Sequence, residues 1–192
     1  MGGEIKPLIS LGEQPLIDHV ITLAKPQVSR LVLSINQHHS HFEYLNLPII
    51  ADAINPAIGP LSGIVSSMQW YRENDETLDD DTYLACFPAD VPRFPADSVS
   101  QLVESVLNTG SDAAIFETNG QVQPLFSVWR FRVLETLKRL LESGLAGPKL
   151  VLPHVEHTLI RITTSEELEF FNINSPTDLA VAQKMIKNSE KP

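Results

Sequence analysis

Thr82-Tyr-Leu-Ala-Cys-Phe-Pro-Ala-Asp-Val-Pro92 decides the fold. Its first half, Thr82–Phe87, is a short apolar run that reads as a strand buried on both faces, the kind found in sheets covered by helices on each side. Its second half is a proline-stiffened turn carrying one carboxylate, Asp90. Outward in both directions the apolar period switches to helical, over Leu61–Arg72 before the strand and Ala96–Asn108 after it. Further strands are predicted at Arg30–Asn36 (buried), Leu47–Ala51, Ala113–Phe116, Val122–Trp129 and Thr158–Ile162. Asn119-Gly120 between two of them is a hairpin turn signal. Helices are predicted over Pro15–Ala24 and Phe131–Glu142, the latter closed by Gly144. A last helix opens at Ser175, with Ser175 as cap, Pro176 in the first turn and Asp178 near the positive end. Lys149–Val155 is open between helix and strand. Strands alternating with helices predict one α/β domain over residues 1–192, its sheet mostly parallel with helices on both faces.

Composition agrees with a single folded unit. The chain has 192 residues, 43% hydrophobic and 20% charged, with a formal net charge of −10. That balance argues against a nucleic-acid or anionic-membrane surface, both of which want basic footprints. A nucleotide ligand remains compatible with it, because a bound divalent cation supplies positive charge. The single cysteine, Cys86, excludes an internal disulfide and a multi-cysteine metal site. The Leu45–Val65 stretch is poor in charge but holds Asp52 and three prolines, so it is no transmembrane helix. The N-terminal residues carry no signal-peptide core, and the expected location is cytoplasmic.

Ligands of such sheets lie beyond the carboxyl ends of the strands, where Asn36, Asp52 and Asp90 fall. Asp90 either holds a hard cation such as magnesium or bonds its own turn as a loop aspartate. Gly59 and Gly63 flank Pro60 and Ser62 at a helix start, an arrangement that lets backbone approach an anion or merely shapes a turn. Lys6 follows Gly2-Gly3, a weak phosphate-loop hint that a frayed terminus explains equally. His38, His39 and His41 lack the spacing of a metalloprotease site and read as a solvated loop. No nucleophile elbow, dinucleotide fingerprint or complete Walker sequence is present.

Taken in order, MGG-x-x-K, L-S-x-N, D-x(6)-GPLSG, P-A-D-V-P, Q-P-L-F and F-x-N-x-N-S-P resemble the molybdenum cofactor guanylyltransferase family. The resemblance runs from Met1 to about Gln183. It implies a Rossmann-like nucleotidyltransferase fold and transfer of GMP from magnesium-bound GTP to molybdopterin, releasing pyrophosphate. Carried over by position, Asp90 would hold Mg2+ and Lys6 would neutralise phosphate charge. Gly3, Asn36, Asp52, Gly59 and Gly63 would belong to the nucleotide side. Gln123, Asn172 and Asn174 would face molybdopterin. Proteins that deliver molybdenum cofactor are implied as partners, and neither nucleic acid nor membrane is. Other readings are a cytidylyltransferase, another nucleotidyltransferase of this fold, or a non-catalytic paralogue that binds the cofactor.

The sequence departs from the family pattern in two places. Family members begin with a strand and a glycine-rich L-A-G-G loop ahead of the MGG with which this sequence starts, and they carry an acidic residue where Ile5 stands. The missing strand would be central to the sheet, so its neighbours are expected to keep unpaired backbone groups. The expectation is that Met1 is an internal methionine of a longer protein. A chain beginning at Met1 is then expected to be weakly active or inactive, and unstable or prone to associate.

Overall fold

The computed structural model describes residues 5–52, 59–163 and 168–189. Near the start, β1 (Ser10–Leu11) and β2 (Gln14–Pro15) form a small antiparallel hairpin that leads into α1 (Leu16–Ala24). Pro15 caps this helix from extended backbone instead of occupying its first turn. A parallel pair follows, β3 (Leu33–Ser34) with β4 (Ile49–Ile50). Then come α2 (Pro60–Asn74), β5 (Tyr83–Cys86), α3 (Ser98–Thr109), β6 (Ala113–Thr118) and β7 (Gln121–Arg130). The chain continues through α4 (Leu134–Glu142), α5 (Pro148–Val151), β8 (His157–Ile162) and α6 (Pro176–Ser189). The segment left open in the sequence, Lys149–Val155, is helical, with α5 running into a 3-10 turn over Leu152–His154. No helix among the described residues is long and apolar enough to cross a membrane.

The main sheet has four strands in the order β5-β7-β6-β8. The expectation of a mostly parallel sheet is corrected: β7 runs antiparallel to both β5 and β6, and only β6 and β8 are parallel in it. The cause is the Asn119-Gly120 turn, where both residues adopt positive φ (51° and 75°). That conformation makes a two-residue hairpin, and the hairpin's return strand inserts between β5 and β6.

Helices cover both faces of this sheet. On one, Leu61, Val65 and Met68 of α2 and Leu137 and Leu141 of α4 pack with Ile115 and Trp129. On the other, Val20 and Ala24 of α1 and Leu102 and Val106 of α3 pack with Phe116 and Val128. A third cluster, Leu11, Leu16, Ile173 and Ala182, fastens the N-terminal hairpin to α6. Trp129, wholly buried, places its indole N–H on Ser127 Oγ at 2.8 Å, so its polar atom is satisfied inside the core.

The strands predicted as buried on both faces, Arg30–Asn36 and Thr82–Phe87, are neither so long nor so covered. In β3 and its approach, Leu31–Leu33 are half-buried and Ser34 is exposed, while in β5 only Leu84 is buried. Among the described residues both strands are edges. The N–H groups of Leu33 and Ile35 go to Pro48 and Ile50, so alternation turns Val32 and Ser34 the opposite way. On β5, Tyr83 lies opposite Arg130, whose N–H is given to Asp112 on the far side. Tyr83 and Ala85 therefore also point away from the sheet.

Between the two edges runs a slot. At one end, about 530 Å³, it is lined by residues 28–32 and 82–85. At the other, about 430 Å³, the lining includes Ser34, Asn36, Cys86, Phe87 and Pro88. Leu31, Val32, Leu84 and Ala85 line both ends, so β3 and β5 flank one slot and run in the same direction along it. Among the described residues, no strand pairs with β3 or β5 across this slot.

Candidate active site

Two groups of polar residues lie at the carboxyl ends of β3 and β5. The first is built on the loops after β3 and β4. Asn36 and Asp52 clasp each other: the Asn36 amide donates to Asp52 Oδ2 at 2.9 Å, and the Asp52 N–H donates to Asn36 Oδ1 at 2.8 Å. The two strand ends are thereby locked in register, with the carboxylate at the mouth of the 430 Å³ cleft.

Gly59 and Gly63 line the same cleft. A Cβ on Gly63 would stand 2.7 Å from Ser34 Oγ and 3.6 Å from Asp52 Oδ1, so α2 reaches the clasp only because this residue lacks a side chain. Gly59 (φ +127°, ψ −177°) occupies a region essentially reserved for glycine, and a Cβ there would meet the Ala146 carbonyl at 2.8 Å. The helix start is less open to an anion than its composition suggested. Leu61 N–H is taken by the Ala146 carbonyl and Ser62 N–H by that of Gly59. A β-bulge in the β6–β7 pair, where Ile115 faces Ser127 but Phe116 faces Gln123, carries Leu125 to the cleft wall. Cys86 lines the cleft too, and burial pushes its thiol up to about 12, leaving it protonated and inert.

The second group is built on the Asp90 turn and the chain before α6. Lys6, opening a 3-10 turn, donates from Nζ to Asp90 Oδ2 at 2.5 Å and also to Asn174 Oδ1. Residues 6, 90 and 174 thus meet from three distant parts of the sequence. The meeting is held by backbone: Ile173 N–H donates to the Asp90 carbonyl at 3.0 Å, and Phe170 N–H to that of Arg93 at 3.0 Å. Ile173 is wholly buried in the cluster that includes Leu11 and Leu16. The groups are adjacent, since Pro88 and Ala89 line the cleft and Asp90 follows them.

Among the other predicted site residues, Asn172 is exposed beside this group. Gln123 sits in the β6–β7 hairpin and donates to Thr118 Oγ1 at 2.8 Å, so its amide is engaged within the hairpin. Gly3 lies outside the described residues. The histidine-rich stretch is a 3-10 turn over His39–Leu45 instead of a loop, with His39 bonded to the Ile35 carbonyl. No cluster of three or more metal-ligating His, Cys, Asp or Glu occurs among the described residues.

Two residues were not assigned to the site from sequence. Ser34 sits inside Leu33-Ser-Ile-Asn36, on the same strand face as Asn36, and that two-residue spacing was its signal. Asp178, read only as a charge favourable to the helix start, accepts at Oδ2 from Ser175 Oγ (2.8 Å), Ser175 N–H (2.8 Å) and Asn174 N–H (3.0 Å). The Ser175 hydroxyl foremost holds its carboxyl below the usual aspartate range; burial opposes it, and the two backbone N–H groups and the charge of Lys6 add to the lowering.

The chain is 31% identical over 187 residues to a molybdenum cofactor guanylyltransferase of Cereibacter sphaeroides, covering 97% of this chain and 91% of the relative. It is 28% identical over 186 residues to one from Rhodopseudomonas palustris, covering 96% and 87%. The crystal structure of molybdopterin-guanine dinucleotide biosynthesis protein A from Archaeoglobus fulgidus superposes with a TM-score of 0.74 at 19% identity, covering 97% of this chain and 92% of that one. A 4-diphosphocytidyl-2C-methyl-D-erythritol synthase shares the fold at TM-score 0.66 and 11% identity, covering 95% and 94%. The profile of the MobA-like NTP transferase domain matches residues 1–163, and the chain belongs to that family.

Proposed function

We propose that the protein transfers GMP from GTP to the terminal phosphate of molybdopterin. An acceptor phosphate oxygen attacks the α-phosphorus, the bond from that phosphorus to the bridging oxygen breaks, and pyrophosphate leaves with the electron pair. The observation that carries this reading is the convergence of Lys6, Asp90 and Asn174 beside a nucleotide-sized cleft. Kinship with the guanylyltransferases named above supports the substrates.

The donor set suits magnesium brought in with the nucleotide. Asp90 offers a carboxylate, and magnesium is commonly held by one or two carboxylates with substrate phosphates and water completing its shell. When bound, it would supply charge to the phosphates during transfer. The chain's own groups do the positioning. Lys6 carries an ammonium that can move from Asp90 to a phosphate oxygen. Asp52, fixed by Asn36, presents a carboxylate that suits the N–H donors of a guanine edge better than the acceptor-rich edge of cytosine. Asn172 and Asn174 lie on the acceptor side of Asp90.

The test compares the wild-type protein with Asp90→Asn and Lys6→Met, using GTP or CTP, molybdopterin and magnesium. Both substitutions are expected to lower kcat/KM for GTP by roughly a hundredfold or more, the scale of losing groups that neutralise charge at the transferring phosphorus. GTP is expected to be preferred over CTP. Variants as active as the wild type would overturn the roles given to Lys6 and Asp90.

A further inference from the structure

We propose that Asp178 is a positioning residue for the acceptor: it fixes the backbone from which Asn174 reaches the reacting phosphates. The inference rests on the transfer reaction described above. Ser175 and Asp178 form a reciprocal capping arrangement, the aspartate accepting from Ser175 N–H while its own N–H donates to Ser175 Oγ at 3.1 Å. That much serves α6. The third donor on the same carboxylate oxygen, Asn174 N–H, lies outside the helix and adds nothing to its cap.

The consequence is local rigidity at one residue. On one side of Asn174, Ile173 is buried and bonded through its N–H to the Asp90 carbonyl. On the other, Ser175 is held to Asp178 by three hydrogen bonds. Asn174 itself is exposed, so no packing fixes its direction. The hydrogen bond to Asp178 takes the place of packing and directs the amide oxygen to Lys6. An exposed side chain that must meet a substrate gains most from such an anchor, since small misplacements cost rate and affinity.

A double-mutant cycle tests this, with KM measured separately for molybdopterin and for GTP in Asp178→Ala, Asn174→Ala and the double variant. Asp178→Ala is expected to raise the molybdopterin KM roughly tenfold and leave the GTP KM within about twofold. The double variant is expected to be no worse than Asn174→Ala alone, and Asp178→Glu to restore most of the loss. Equal rises in both KM values, or additive effects in the double variant, would reduce Asp178 to a helix cap and overturn the proposal. Asp178→Asn, nearly isosteric, keeps the test available if the alanine variant fails to fold, and an unchanged molybdopterin KM in it overturns the proposal. Should the wild-type protein make no dinucleotide, it is the transfer reading that fails. Asp178 is then judged by the side-chain amide resonances of Asn174, whose shift in Asp178→Asn supports the anchor and whose constancy overturns it.

Discussion

Gly63 shows how little room separates the nucleotide cleft from its own scaffold. A methyl group there would press on Ser34 Oγ, the movable end of a small side chain, and approach the Asp52 carboxylate. Gly63→Ala is therefore expected to fold but to weaken GTP binding, by roughly tenfold for a displaced contact of about 1 kcal/mol or more. Ser34→Ala in the same chain is expected to recover part of that loss, measured by titration with a fluorescent GTP analogue. Binding equal to wild type in Gly63→Ala would show that the clasp is remote from the nucleotide. Asp178 gives a pH prediction. Its carboxyl lies below its unfolded value, so its contribution is fully present above the ordinary aspartate pKa and is lost as pH falls through the lowered one. Thermal unfolding followed from neutral to acid pH is expected to show a shallower acid limb in Asp178→Asn than in the wild type, and identical limbs would contradict this. Most of these residues were legible in the sequence because strand-end position and motif order both marked them. Ser34 and Asp178 were less so, since a serine on a strand and an acid in a first helical turn have everyday structural uses.

At the scale of elements, the sequence is most informative where local chemistry decides the outcome. Asn119-Gly120 adopts the positive φ values that its composition calls for, Gly144 at positive φ closes its helix as expected, and Gly110, also at positive φ, caps α3. Strand neighbours are another matter, because pairing is set by distant parts of the chain. The insertion of β7 between β5 and β6 has no local sequence sign, whereas Pro124 stands in the bulge that brings Leu125 to the cleft. The same limit explains why Arg30–Asn36 reads as a buried strand and yields only a two-residue edge: its apolar side chains suit a covered sheet, and one flank is open. Hydrogen exchange checks the slot directly. The amides of Val32, Ser34, Tyr83 and Ala85 are expected to exchange faster than those of Leu33, Ile35, Leu84 and Cys86, which face paired strands. Equal protection in both sets would mean that the slot is filled in solution.

For the whole molecule, helices on both faces of a central sheet bring together polar residues that are widely separated in sequence. Lys6 and Asn174 are 168 positions apart, and they meet because the hairpin after the first turn and the segment before α6 share one apolar cluster. The net charge of −10 gives that meeting its electrostatic setting: a polyphosphate entering an acidic protein needs local positive charge, which Lys6 and a magnesium ion would provide. The α/β class and the two helical layers were legible from the alternation of periods, whereas the direction of the strands was not. The most direct measurement is mass spectrometry of the products formed by the purified 192-residue chain from molybdopterin, GTP and magnesium. The account predicts molybdopterin guanine dinucleotide and pyrophosphate, and no dinucleotide from Asp90→Ala under the same conditions. Absence of dinucleotide from the wild-type chain, or its undiminished formation by Asp90→Ala, would contradict it.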